Sequence, residues 1–185
     1  MDRVEQLLEA YRARVGRPWP RDISGPERVW LAVYPPEIER RLRVRIDEFG
    51  LATKDAGHKW RHLDLTRTFA EWLGGHEHRE AYFEDPDAMR PAFAAFAASV
   101  EAQVRLQLGE DHADHDTVVA LSGVGALFPM MHVSWLVGRV APDVRGRLLV
   151  FFPGSLEAGN YRLLDARDGW NYLAIPITIP EGGSQ

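Results

Sequence analysis

The sequence predicts one α/β domain in three layers, with helices on both faces of a mostly parallel sheet. Three observations predict it. Strand-like and helix-like segments alternate along the chain, the pattern of a parallel sheet covered on both sides. Two of the strand-like segments, Thr117–Leu121 (TVVAL) and Arg147–Phe152 (RLLVFF), are almost free of charge, as strands buried on both faces must be. Glycine or proline punctuates most of the junctions.

Residues 2–15 read as an amphipathic helix, with Val4, Leu7, Leu8, Tyr11 and Val15 at helical spacing and Asp2 in the capping position. Gly16 stops it, and a loop rich in proline and glycine runs to residue 27. Residues 28–34 (RVWLAVY) form the first strand, ended by Pro35-Pro36. A helix then buries Ile38, Leu42, Ile46 and Phe49, and Gly50 terminates it. Its outer face pairs Glu37 with Arg41 and Glu39 with Arg43 in the favourable i,i+4 order. Residues 59–65 make a second, more polar strand, with Trp60 and His62 on one face. A short helix carries Phe69, Trp72 and Leu73 to Gly74-Gly75. After a polar stretch, Asp85-Pro86 opens a long helix to about residue 108, with Gly109 as its stop. The strand TVVAL runs into the turn Ser122-Gly123-Val124-Gly125, then a buried helix over 129–140, then RLLVFF, which Pro153-Gly154 ends. Short extended pieces at 161–164 and 172–178 follow, and Pro176 assigns the last to a sheet edge. Residues 1–27 form an N-terminal helix and loop, and 179–185 a flexible tail, on a single domain spanning 1–185.

The composition fits a folded core. Of 185 residues, 45% are hydrophobic, and six Trp and eight Phe supply large apolar side chains. There is no cysteine, which removes disulfides, thiolate metal sites and cysteine nucleophiles. The net charge of −5 argues against a chain whose main task is gripping nucleic-acid phosphates. The charged start and the lack of an apolar run of roughly 18 residues predict a cytoplasmic chain with no membrane contact.

No catalytic constellation emerges. The SGVG turn lacks the Lys-Ser/Thr of a phosphate loop, and Phe128 stands where a dinucleotide fingerprint needs its third glycine. The pairs His76/His78 and His112/His115 match no metal-ligand spacing, and His58, His62 and His132 stand alone. Ser122 and Ser155 lie at strand ends outside any Gly-x-Ser-x-Gly elbow. The arginines at 40, 41, 43 and 45 are interleaved with acids, the pattern of a solvated face. Neither a cofactor nor a metal is expected.

Two blocks carry a family resemblance. Ala120–Pro129 (ALSGVGALFP) and Leu148–Gly154 (LLVFFPG) resemble the two central blocks of the BrxB family of bacterial BREX phage-defence systems. Tyr34-Pro35-Pro36-Glu37, Leu63-Asp64-Leu65 and Asn171-Tyr172 are similar to further family segments, so the likeness spans nearly the whole chain. His132, Val133 and Ser134 stand where the family usually shows Arg, a small residue and His. The resemblance implies a non-catalytic accessory or adaptor protein. Its expected partner is the PglZ-type, alkaline-phosphatase-class protein encoded beside it.

These readings combine into a Rossmann-like domain with strand order 2-1-3-4 and the C-terminal strand at the edge. Strands one and three then flank a crevice at their C-terminal ends, where open α/β sheets bind ligands. The residues placed there are Tyr34, Pro36, Glu37, Asp64, Ser122, Gly123, Gly125, Phe152, Pro153, Gly154 and Ser155. Helix 36–49 and the segment Trp72–Phe83 are candidate anchors for a partner. Two alternatives are a nucleotide- or phosphate-sensing module using SGVG and a metal-dependent hydrolase using the histidines.

Overall fold

Asp2 caps the first helix with its carboxylate, which accepts from the Val4 and Glu5 amides at 2.7 and 3.1 Å. From that point the computed structural model describes residues 1–166 and 169–181. The end of the predicted flexible tail, 182–185, lies outside the described residues. Helix α1 (Arg3–Val15) is followed by β1 (Val29–Tyr34), α2 (Glu39–Val44), α3 (Ile46–Asp55) and β2 (Lys59–Asp64). Then come α4 (Thr68–Gly74), α5 (Arg79–Glu84), α6 (Phe93–Leu108), β3 (Thr117–Ser122) and α7 (Val133–Val140). The chain closes with β4 (Arg147–Glu157), β5 (Asn160–Leu163), β6 (Trp170–Asn171) and β7 (Ile175–Thr178).

The expected order 2-1-3-4 is corrected. The strands lie in the order β2-β3-β4-β1-β7, so β4 separates β1 from β3. Six residues of β1 pair with β4, from Val29 opposite Leu148 to Tyr34 opposite Pro153. The physical reason is that β1, β3 and the first half of β4 are all buried on both faces. Burial therefore does not distinguish which of them are neighbours. The exposed strand β2, with charged Lys59, Arg61 and Asp64, takes one edge, and β7 with Pro176 takes the other. The sheet is also mixed rather than mostly parallel. The pairs β2–β3, β3–β4, β4–β1 and β1–β7 are parallel, whereas β4–β5 and β5–β6 are antiparallel.

This order decides which face each helix covers. The chain crosses from β1 to the far edge, β2, through α2 and α3, then returns one strand at a time. Right-handed crossovers in opposite directions must lie on opposite faces. Accordingly α1, α2 and α3 pack on one face, with Tyr11, Leu42 and Phe49 against Trp30, Ala32 and Phe151. On the other face α6 and α7 pack with Phe96, Val100, Leu136 and Val140 against Leu31, Val150 and Phe152. Two buried polar clusters find partners inside the fold. Tyr11 and Thr53 share a hydrogen bond between hydroxyls, and the Thr53 hydroxyl also donates to the Phe49 carbonyl at 2.8 Å. Buried Glu101 of α6 accepts from Arg105 at 2.9 Å and from Arg139 of α7 at 3.2 Å, tying the two helices together.

Several expected boundaries shift. The long helix expected from Asp85-Pro86 opens as a 3-10 turn over Pro86–Ala92, and α6 begins only at Phe93. The helix expected over 36–49 breaks at Arg45, whose dihedrals leave the helical region and whose guanidinium grips Glu48 through two 2.8 Å bonds. The pairs Glu37–Arg41 and Glu39–Arg43 do not form among the described residues: Glu37 lies in the 3-10 turn before α2, and Glu39 accepts the Tyr34 hydroxyl. Gly50 does not stop the helix but lies inside α3. A Cβ there would sit 2.8 Å from the Trp60 indole nitrogen, so this glycine makes room for a side chain of β2. The helix expected over 129–140 begins only at Val133, and β4 continues past Pro153-Gly154. Pro153 lacks an N–H, yet its carbonyl accepts from Leu164 at 2.8 Å, and the strand turns into the β4–β5 hairpin.

Phe151 is fully buried and meets Phe49 edge-on at 5.0 Å between ring centres. Phe151→Ala is expected to cost about 3–5 kcal/mol in denaturant unfolding. Gly50→Ala is expected to destabilise the wild type. In a Trp60→Ala background the same change is expected to stabilise by about 1 kcal/mol, the helix preference for Ala over Gly. A double-mutant cycle measures the sign reversal.

Candidate functional site

The parallel strands bring all the predicted crevice residues to one edge of the sheet, but not into one crevice. Because β4 lies between β1 and β3, Tyr34–Glu37 does not flank Ser122–Gly125. Two separate places result.

The first lies at the ends of β2 and β3. Asp64 is the ladder partner of Ser122, and the Leu65 amide donates to the Ser122 carbonyl at 2.9 Å. Asp64 Oδ1 accepts from the Thr66 amide at 2.9 Å and the Thr66 hydroxyl at 2.6 Å. Burial raises the pKa of this carboxyl, but the two Thr66 bonds and the charge of Arg43 outweigh it and leave the value lowered. His62 Nε2 lies 2.7 Å from Ser122 Oγ. Desolvation lowers the pKa of His62, against the opposing charges of Asp64 and Asp47. Arg40 and Arg43 of α2 line, with His62 and Asp64, an open pocket of about 360 Å3.

A serine–histidine pair invites a nucleophilic reading, which the geometry does not favour. Ser122 is only 2% exposed, and His62 covers it from the solvent side of an edge strand. A nucleophile needs a free approach for a carbonyl or phosphoryl group as well as a base. Gly123 has φ 72°, and a Cβ on it would fall 2.3 Å from Thr66 Oγ1 and 2.6 Å from Thr66 N. It is therefore the seat on which the turn after β2 rests. A Cβ on Gly125 would meet Pro153 at 3.4 Å and Leu164 at 3.8 Å, ordinary contact distances. A four-residue 3-10 turn, Val124–Leu127, follows Gly123, with a cis peptide at Phe128-Pro129 and α7 only from Val133. SGVG thus does not open onto a helix N-terminus, the usual source of phosphate-binding amides.

The second place is a groove of about 190 Å3 under the β4–β5 hairpin. Phe152 forms its floor, Tyr161, Leu163 and Trp170 one wall, and Phe128 with the first turn of α7 (His132, Val133, Ser134) the other. Tyr161 packs edge-on to Phe152 at 5.9 Å and donates to the Ala174 carbonyl at 3.1 Å. Burial pushes the Tyr161 phenol up to about 12, so it remains a donor at neutral pH. Trp170 stacks on Tyr172 at 4.5 Å. Phe128 is 42% exposed at the rim, and Trp135 on α7 is 41% exposed.

The other predicted residues have plainer surroundings. Tyr34 is buried, and its hydroxyl donates to Glu39; burial and then the Glu39 charge raise its pKa. Pro36 and Glu37 are exposed on the turn after β1. Gly154 and Ser155 pair with Leu163 and Arg162 in the hairpin. Of the predicted set, only Phe152 lines the aromatic groove, and only Asp64 lines the polar pocket. His62, Tyr161 and Trp170 were missed. The alternation of Trp60 with His62 placed the histidine on one face, but its partner depended on the β2–β3 register, which has no local signal.

The histidine-rich segments do not assemble a metal centre. His76 and His78 pack around Tyr82 on α5, and among the described residues no group of three His, Asp or Glu could hold a metal ion. Among these residues no helix is long and apolar enough to cross a membrane.

Searches with this chain find no matching protein-family model, curated protein or solved structure.

Proposed function

We propose that this chain is a non-catalytic, partner-binding component of a bacterial BREX anti-phage system, and that it holds a PglZ-type protein through the aromatic groove. One observation carries the reading. The groove joins a buried aromatic floor, Phe152 and Tyr161, to the exposed Phe128 at its rim and to Trp170, which stacks on Tyr172. Protein interfaces concentrate their binding energy in such aromatic anchors and pockets. The volume suits one or two apolar side chains of a partner rather than a cofactor. The identity of the partner rests on the BrxB resemblance, whose two central blocks contribute Phe128 and Phe152 to this groove. The absence of an approachable nucleophile at Ser122 supports a non-catalytic role.

The test is co-expression with the PglZ-type protein encoded beside this chain, followed by affinity capture and size-exclusion chromatography after nuclease treatment. The two are expected to co-elute. Phe128→Asp, at an exposed position, is expected to leave the fold intact and weaken the complex at least about tenfold, which is about 1.4 kcal/mol. Separate elution at micromolar concentration, or a complex indifferent to Phe128→Asp, would remove the proposal.

A further inference from the structure

The opposite edge of the sheet, at the N-terminal ends of the strands, carries a second cleft of about 400 Å3. It lies between the loop after α1 and the segments that lead into β2, β3 and β4. Its wall contains Arg147, the first residue of β4, which is only 4% exposed. The guanidinium stands 5.0 Å from the ring centre of Trp19 and 5.9 Å from that of Trp30. Nη1 donates to the Gly146 carbonyl at 2.8 Å and Nη2 to the Pro20 carbonyl at 2.9 Å. Both acceptors are neutral, and among the described residues no carboxylate pairs with Arg147. A guanidinium has five N–H donors, so three are left without an acceptor.

A buried cation without a counter-charge is costly, and aromatic faces offset only part of that cost. The surroundings add to the positive charge. Arg28 also bonds only to carbonyls, of Val144 at 2.8 Å and Arg21 at 2.9 Å. Burial and the nearby Arg28 both lower the pKa of Arg147. Arg21 and Arg145 line the cleft beside it. The acids close by are already engaged: Asp116, which lines the cleft, is held by His58, and Glu110 pairs with Arg145. His58 stacks flat on Trp19 at 3.6 Å, fixing that wall. A chain of net charge −5 thus places Arg21 and Arg147 at one concave place, with Arg28 behind them and Arg145, paired to Glu110, at the mouth.

We infer that this cleft binds a small phosphate-class anion, gripped by the free donors of Arg147 with Arg21 and Arg145 at the mouth. The planar fork of arginine matches the oxygens of a phosphate and satisfies two of its donors at once. The volume admits a phosphomonoester as readily as the bare ion. This site is remote from the aromatic groove and does not depend on the partner assigned to it.

Calorimetric titration of the full chain in a low-salt, phosphate-free buffer tests the inference, with inorganic phosphate and O-phosphoserine as probes. Saturable binding is expected with at least one probe, and the tighter of the two identifies free ion or monoester as the source. Arg147→Lys keeps the charge and loses the fork, and Arg21→Ala/Arg145→Ala leaves the buried wall untouched. Each is expected to weaken binding at least about tenfold. If Arg147→Lys does not fold, the double variant decides alone. No saturable heat from either probe, or wild-type affinity in the folded variants, would overturn the inference. Binding of a single-stranded oligonucleotide with neither small probe bound would overturn it as well.

Discussion

Strand β4 is paired along both edges from Leu148 to Val150 and buried from Leu148 to Phe152. Every side chain in that stretch must therefore fit an element that is distant in sequence. Leu149 and Phe151 fill the core under α1 and α3, while Leu148, Val150 and Phe152 fill the one under α6 and α7. Interiors at crystal-like density tolerate little slippage. A one-residue shift would exchange the two sets and break both cores at once. The same fit fixes the two ends of the strand. Arg147 at its start faces the cleft beside Trp19, and Phe152 near its middle floors the aromatic groove. The two candidate sites are thus held by one rigid element, from opposite edges of the sheet.

Elements whose signal is local were legible in the sequence. The stripe Val4, Leu7, Leu8, Tyr11 and Val15 is buried as its spacing required, and TVVAL is a strand without exposed residues. Pro176 marked an edge, and β7 is one. What was not legible depends on contacts between distant segments. Strand order was misjudged because three equally buried strands offer no ranking. Gly50 looked like a helix stop, since a helix-internal glycine and a terminal one are identical until Trp60 is placed beside it. Pro153-Gly154 looked like a strand end, since the hairpin that continues the strand pairs through residues without a strong β pattern of their own.

The sites divide in the same way. Asp64 and Ser122 were placed correctly at strand ends, because parallel strands must all point their C-terminal ends to one side. Their partners His62, Thr66 and Arg43 follow from the register of an edge strand and from the crossover through α2 and α3 that carries the chain from β1 to β2. The groove was represented only by Phe152, because its walls come from a hairpin and from the first turn of a helix that starts four residues later than its composition implied. The cleft at the other edge was not visible at all. Within RLLVFF, Arg147 reads as the polar residue that begins a strand, yet its acceptor at Pro20 lies 127 positions away.

Two buried charged groups, Glu101 and Arg147, show how differently one fold can treat the same problem. Glu101 lies between α6 and α7 with two guanidinium groups on its carboxylate, and those bonds, with the charges behind them, lower its pKa. It is a closed device, complete within the chain. Arg147 is buried to a similar degree but meets only carbonyls and indole rings, and its pKa falls through burial and a second cation. Its two carbonyl bonds and the indole faces hold the side chain in place, but none of them neutralises the charge. An anion on the open side would complete the donor set that Gly146 and Pro20 leave half used, much as Arg105 and Arg139 complete that of Glu101.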